Sequence, residues 1–140
     1  MSSASLEARL GPGGPSIRVE RTVAGIEELA AFCRNHAVEL VVMEATGGYE
    51  KLVFALLWAA GLPSAIVNPR SVRRFSEAMG FLEKTDRIDA GVIAWYAEVK
   101  RIAACPPPSA AQERLTAVVG RLRQLTTLLV AQLNQRRLVT

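Results

Sequence analysis

Met43-Glu44-Ala45-Thr46-Gly47-Gly48-Tyr49-Glu50 opens a stretch that continues through Asn68-Pro69-Arg70 and closes on Lys84-Thr85-Asp86-Arg87-Ile88-Asp89-Ala90. Glu44 ends an apolar run from Val38 to Met43, nearly continuous and short, of the kind buried on both faces of a parallel sheet. Asp86 and Asp89 are the only aspartates in the chain. They lie three residues apart at the head of a helical pattern, a spacing that places both carboxylates on one helix face. One carboxylate at a strand end and two on a helix match the needs of an oxygen-ligated divalent cation. An Asp-x-x-Asp pair also fits a helix cap and a dipole match, a reading with most weight for Asp86 alone.

Outward from this stretch the chain reads as alternating elements. Gly47-Gly48 breaks the strand, and a helix is expected from about Tyr49 to Ala60, stopped by Gly61-Leu62-Pro63. Ser64 to Val67 reads as the next strand. Pro69 opens a basic helix to about Met79, and a further helix is expected from Asp86 to about Arg101. Upstream, Leu6, Ala8 and Leu10 alternate, Gly11-Pro12-Gly13-Gly14-Pro15 is a turn, and Ile17 to Thr22 alternates again, which gives a hairpin. Thr22 starts a helix over about Ala24 to Asn35 with Ile26, Leu29, Ala30 and Cys33 on its apolar face. This order predicts an α/β layer fold with a parallel core and a leading hairpin.

Pro106-Pro107-Pro108 marks a boundary, giving units over 1–104 and 105–140. Beyond it Leu115, Val118, Leu122, Leu125, Leu129 and Leu133 recur at threes and fours, the seam of a long amphipathic helix over about Gln112 to Arg136. Such a seam serves a homo-oligomer or folds back on the α/β unit.

Composition narrows the function classes. With 140 residues the chain can bury a real core. No apolar run reaches membrane-spanning length and no signal peptide is legible, so no membrane role is expected. Cys33 and Cys105 form neither a metal motif nor a disulfide framework, in keeping with a cytoplasmic protein. The net charge is +4, and fourteen of seventeen basic residues are arginine. Arg70, Arg73 and Arg74 form one knot. Arg101 to Thr140 holds six arginines, Arg121 and Arg123 among them, against the single acid Glu113. The guanidinium fork suits phosphate, and the same pattern fits a solvated basic face; charge alone does not separate the two.

The three blocks together resemble the N-terminal domain of the DEDD transposases of bacterial insertion sequences, of the insertion-sequence-110 type, a family that includes pilin-gene-inverting recombinases. The resemblance covers nearly the whole chain, with the blocks in the family's order. It implies a mixed sheet with flanking helices like that of ribonuclease H and the Holliday-junction resolvases. It also implies an Asp-Glu-Asp-Asp set holding Mg2+ or Mn2+. Glu44 matches the second acid, Asp86 the third and Asp89 the fourth. These three are the implied catalytic and metal residues. Arg70, Arg73, Arg74, Lys84, Arg87, Arg121 and Arg123 are the candidates for nucleic-acid contact. DNA is the implied partner, with a guide RNA from the element and a separate serine-bearing domain as further features of the family.

Two departures qualify the match. No aspartate precedes Asp86; the alignment puts the first acid just upstream of Met1, with the first strand partly missing, and Glu7 and Glu20 are equal candidates to stand in. The chain also ends within the long helix, which predicts an incomplete, inactive piece of a recombinase. Other residues read most simply as structural. Glu50 complements a helix dipole, Gly47 and Gly48 make a turn, Trp58 and Trp95 belong to the core, His36 ends a helix, and Tyr49 packs.

Three functions compete. The first is a metal-dependent DNA strand cleavage and transfer domain. The second is a non-catalytic nucleic-acid-binding and dimerisation module. The third, a doubly wound domain for a phosphorylated ligand, lacks a phosphate-loop pattern. Magnesium-dependent cleavage separates the first from the second.

Overall fold

The computed structural model describes residues 4–80 and 89–139. A hairpin of β1 (Ser5–Arg9) and β2 (Ser16–Glu20) leads into α1 (Val23–Asn35). Then come β3 (Val41–Glu44), α2 (Glu50–Ala59), β4 (Ser64–Val67), α3 (Pro69–Ala78), α4 (Ala90–Lys100) and α5 (Ala110–Val139). The α/β class expected from the alternation is the one adopted. The strands form two separate pairs: β1 antiparallel to β2, and β3 parallel to β4 with Glu44 opposite Val67.

The chain divides into two compact units, residues 1–107 and 108–140. In the first unit the pleat sends alternate residues to opposite faces. Met43 joins Leu29, Cys33, Val53 and Leu57 of α1 and α2 in one core cluster. Val42 packs against a second cluster, built from Val67, Val72, Val92 and Tyr96 of β4, α3 and α4. Phe75 extends that second cluster, with its ring edge-on to Trp95 and Tyr96 at centroid separations of 4.9 and 5.4 Å. The strands thus lie between a layer of α1 and α2 and a layer of α3 and α4.

Element ends depart from the sequence reading where caps intervene. The strand expected from Val38 begins at Val41. Val38 is used instead to close α1: its N–H donates to the Cys33 carbonyl while Ala37, at φ +50°, donates to Arg34. This is a Schellman closure with alanine in the left-handed position where glycine is usual. His36 is the cap residue there, as its place at the helix end suggested, with Nδ1 2.9 Å from the Phe32 carbonyl. Gly61, at φ +80°, closes α2 in the same way, with Leu62 N–H bonded to the Leu57 carbonyl.

The helix expected from Asp86 starts at Ala90. Asp89 has extended backbone, and its side chain accepts from the Val92 N–H, so it caps the helix rather than standing on its face. The shared helix face foreseen for Asp86 and Asp89 is therefore not how Asp89 is placed. Asp86, Lys84 and Arg87 lie outside the described residues.

The second unit is one 30-residue helix with no buried residue. Among the described residues no helix is long and apolar enough to cross a membrane.

Candidate metal and nucleic-acid site

Glu44 is the last residue of β3, at the point where the chain leaves the sheet for the Gly47-Gly48 turn. Its Oε2 is buried and, among the described residues, has no hydrogen-bond partner. Burial raises its pKa above the ordinary carboxylate value, and the positive charge of Arg73 on α3 pulls in the opposite direction. A half-buried carboxylate with an oxygen that no described group hydrogen-bonds is one that a bound cation would satisfy.

The turn after Glu44 is held by a second acid. Glu50 Oε2 accepts from Thr46 N–H at 2.9 Å, Thr46 Oγ1 at 3.0 Å and Gly48 N–H at 3.0 Å. Burial alone would raise the pKa of Glu50; the hydrogen bonds outweigh it and hold the carboxyl below its ordinary value. Glu50 is thus a structural anchor, as its place on the first helical turn suggested. Gly47 and Gly48 have φ of +77° and +111°, which the turn requires and which other residues adopt only with strain. Tyr49 is exposed and lies beneath the Arg21 guanidinium, 4.6 Å from the ring centroid.

The two neighbouring acids of the pattern have different environments. Asp89 is exposed, and one of its oxygens is occupied by the helix cap. Glu44 and Ala90, the residue after Asp89, line one cavity of about 410 Å³. Glu7 lines the same cavity and Glu20 does not, which separates two acids that the sequence left equal. Glu98 of α4 also reaches it. The cavity runs along the edge of β1, meeting Leu6, Glu7, Ala8, Arg9 and Leu10 in succession, so no periodicity in the sequence marked Glu7. Among the described residues no three histidine, cysteine, aspartate or glutamate side chains converge on one metal position. Glu44 therefore suits a cation by its orphaned oxygen, while the described residues alone do not complete a ligand set.

The arginine knot lies on α3. Asn68 caps this helix by accepting from the Arg70 N–H at 2.9 Å, and Pro69 occupies the first position. Arg70 and Arg74 are exposed. Arg73 is half-buried and approaches Glu77 at 3.7 Å, a loose pair one helical turn apart. Arg121 and Arg123 are exposed on α5.

A family model described as a transposase, that of the DEDD enzymes of the insertion-sequence-110 type, matches residues 15–139. No curated protein matches the chain.

Proposed function

Because the chain belongs to the DEDD transposases of the insertion-sequence-110 type, we propose that within DNA transposition it serves as the metal-dependent strand-cleavage and strand-transfer domain. The observation that carries this reading is the orphaned, buried Glu44 oxygen at the end of β3, where the family pattern requires its second acid. Glu44, Asp86 and Asp89 are the metal ligands. A divalent cation held there supplies charge to polarise a phosphodiester and lower the pKa of a bound water.

The chain's own residues do the rest. Glu50 fixes the turn after Glu44, so that the carboxylate is presented from a rigid strand end. Arg70 and Arg74, exposed on α3, bind backbone phosphate, as Lys84 and Arg87 do from the segment before α4. Arg121 and Arg123 give α5 a basic surface of its own, which takes the DNA or an RNA guide.

The test is nicking of supercoiled DNA with and without Mg2+ or Mn2+, comparing the chain with its Glu44→Gln variant. Metal-dependent nicking abolished by Glu44→Gln is the expected result. Nicking unaffected by the substitution would remove Glu44 from the site.

One observation favours a second reading. The apolar seam of α5 is exposed, with Leu115, Leu122 and Leu129 each at least 60% accessible. A helix of that kind supports a dimerisation module that binds nucleic acid without cutting it. DNA binding that persists with no metal-dependent nicking at all would select it.

A further inference from the structure

Tyr49 stands at the N-cap position of α2, where serine, threonine, asparagine or aspartate is usual, and its side chain makes no capping hydrogen bond. Glu50 ties down the preceding turn instead, through Thr46 and Gly48. Tyr49 is 46% accessible and belongs to neither core cluster. Neither capping nor core packing therefore accounts for an aromatic residue here. The Arg21 guanidinium lies over its ring, 4.6 Å from the centroid.

Both members of this pair stand on fixed backbone. The Arg21 N–H donates to the Ala4 carbonyl, and the next residue, Thr22, caps α1. Tyr49 lies between Gly48, whose N–H donates to Glu50, and the first turn of α2. A cation over one face of a tyrosine ring restrains the side chain and leaves a flat apolar surface on the other. Among the described residues no aromatic ring packs against that surface. Beside it, a Cβ added at Gly47 or Gly48 would meet nothing within 4 Å, so a ligand has room to approach along the turn. The same turn begins at Glu44. Five residues separate the two, so their Cα atoms are at most about 18 Å apart.

We infer that Tyr49, braced by Arg21, is a stacking platform for an unpaired base of the DNA strand whose phosphate lies at Glu44. A base inside a duplex has both faces taken by its neighbours, so the platform receives one that has left the stack. Aromatic faces accept every base, and the contact fixes the path of the strand without reading its sequence. The guanidinium adds positive charge beside the ring, which suits a base carried on a phosphate chain. A ring held in advance loses little freedom on binding. An apolar protein partner fits less well, since the immediate neighbour of the ring is a cation. The placement beside Glu44 rests on the metal reading above; the stacking itself does not.

The probes are two single strands of equal length and charge, oligothymidylate and its fully abasic counterpart, added to the full chain in EDTA. Oligothymidylate should bind roughly five- to a hundredfold tighter, the scale of one stacked base. Tyr49→Leu should bring the two strands to equal affinity, while Tyr49→Phe and Tyr49→Trp should keep the difference. Equal binding of both strands by the unaltered chain, or a base preference that survives Tyr49→Leu, would overturn the inference. An equal loss on Leu52→Ala, exposed one turn further along α2, would overturn it too, by marking an apolar contact in place of a stack. Oligouridylate bound tighter than oligothymidylate, with the same dependence on Tyr49, would overturn the assignment to DNA. With Mg2+, a single abasic position flanking the cut should slow nicking by the chain and make no difference to Tyr49→Leu. Nicking indifferent to every flanking position would move the platform away from Glu44. Absence of nicking would remove that placement together with the metal reading, and the EDTA comparison would still decide the stack.

Discussion

Asp89 Oδ1 accepts a hydrogen bond from the Val92 N–H at 2.9 Å, so one oxygen of a candidate metal ligand also starts a helix. The two roles can be separated by substitution. Asp89→Asn keeps the cap and removes the charge, while Asp89→Ala removes both. Asp89→Ala should cost about 1 kcal/mol of stability and Asp89→Asn a few tenths at most. If Asp89 also holds the cation, both variants should lose magnesium affinity. Thermal unfolding and calorimetric titration with Mg2+ measure the two effects independently.

Glu44 and Glu50 should respond to acid with opposite signs. The pKa of Glu44 is raised on folding, so the protonated form is favoured in the native state. Its contribution is best at low pH and is lost as pH rises from the unfolded value through the higher folded one. The pKa of Glu50 is lowered, so its contribution is present above the ordinary carboxylate range and lost as pH falls through the folded value. Glu44→Gln should therefore raise the neutral-pH melting temperature slightly, on the order of 1–3 °C for a few tenths of a kcal/mol in a unit of this size. Glu50→Ala should lower it, since three hydrogen bonds to a charged acceptor are removed. Melting curves from pH 3 to 8 check both; a lower neutral melting temperature for Glu44→Gln would contradict the uncompensated state assigned to it.

Arg70, Arg73 and Arg74 should dominate the salt dependence of DNA binding. Replacing all three with alanine should weaken binding to duplexes of any sequence alike. The log–log salt slope should fall by roughly 0.9 for each phosphate that is no longer neutralised. Because Arg73 also approaches Glu77, its single substitution should have the smallest effect. Fluorescence anisotropy across a salt series reads the slope. An unchanged slope in the triple variant would move the interface elsewhere.

The α5 helix should self-associate through Leu115, Leu122, Leu125 and Leu129. All four are exposed, and burying a leucine is worth about 1.5–3 kcal/mol. Leu122→Glu should shift the chain towards monomer in sedimentation equilibrium at micromolar concentrations. A chain that is monomeric before the substitution, and unchanged by it, would defeat this.

Much of the layout is legible in the residues themselves, because local chemistry decides it. Thr22 before an apolar period of 3.6 marks α1, Pro69 after Asn68 marks the start of α3, and Ser64 to Val67 reads directly as β4. The acids are legible as residue types in a pattern; their environments are not. Nothing in the local sequence distinguishes a glutamate whose oxygen is left without a partner, Glu44, from one whose oxygen takes three hydrogen bonds, Glu50. Both flank the same glycine pair.

The sequence by itself determined the element types, the family and the candidate acids, since periodicity, caps and motif order act over a few residues. Only the tertiary structure decided that Asp89 caps α4 instead of lying on its face, and that Val38 closes α1 instead of starting β3. It alone decided that Glu7 rather than Glu20 lines a cavity with Glu44, and that among the described residues the strands form two separate pairs. Those outcomes depend on which distant segments meet, and hydrogen-bond satisfaction at such meetings is settled by the packed backbone, where the competing local preferences differ by only about a kcal/mol.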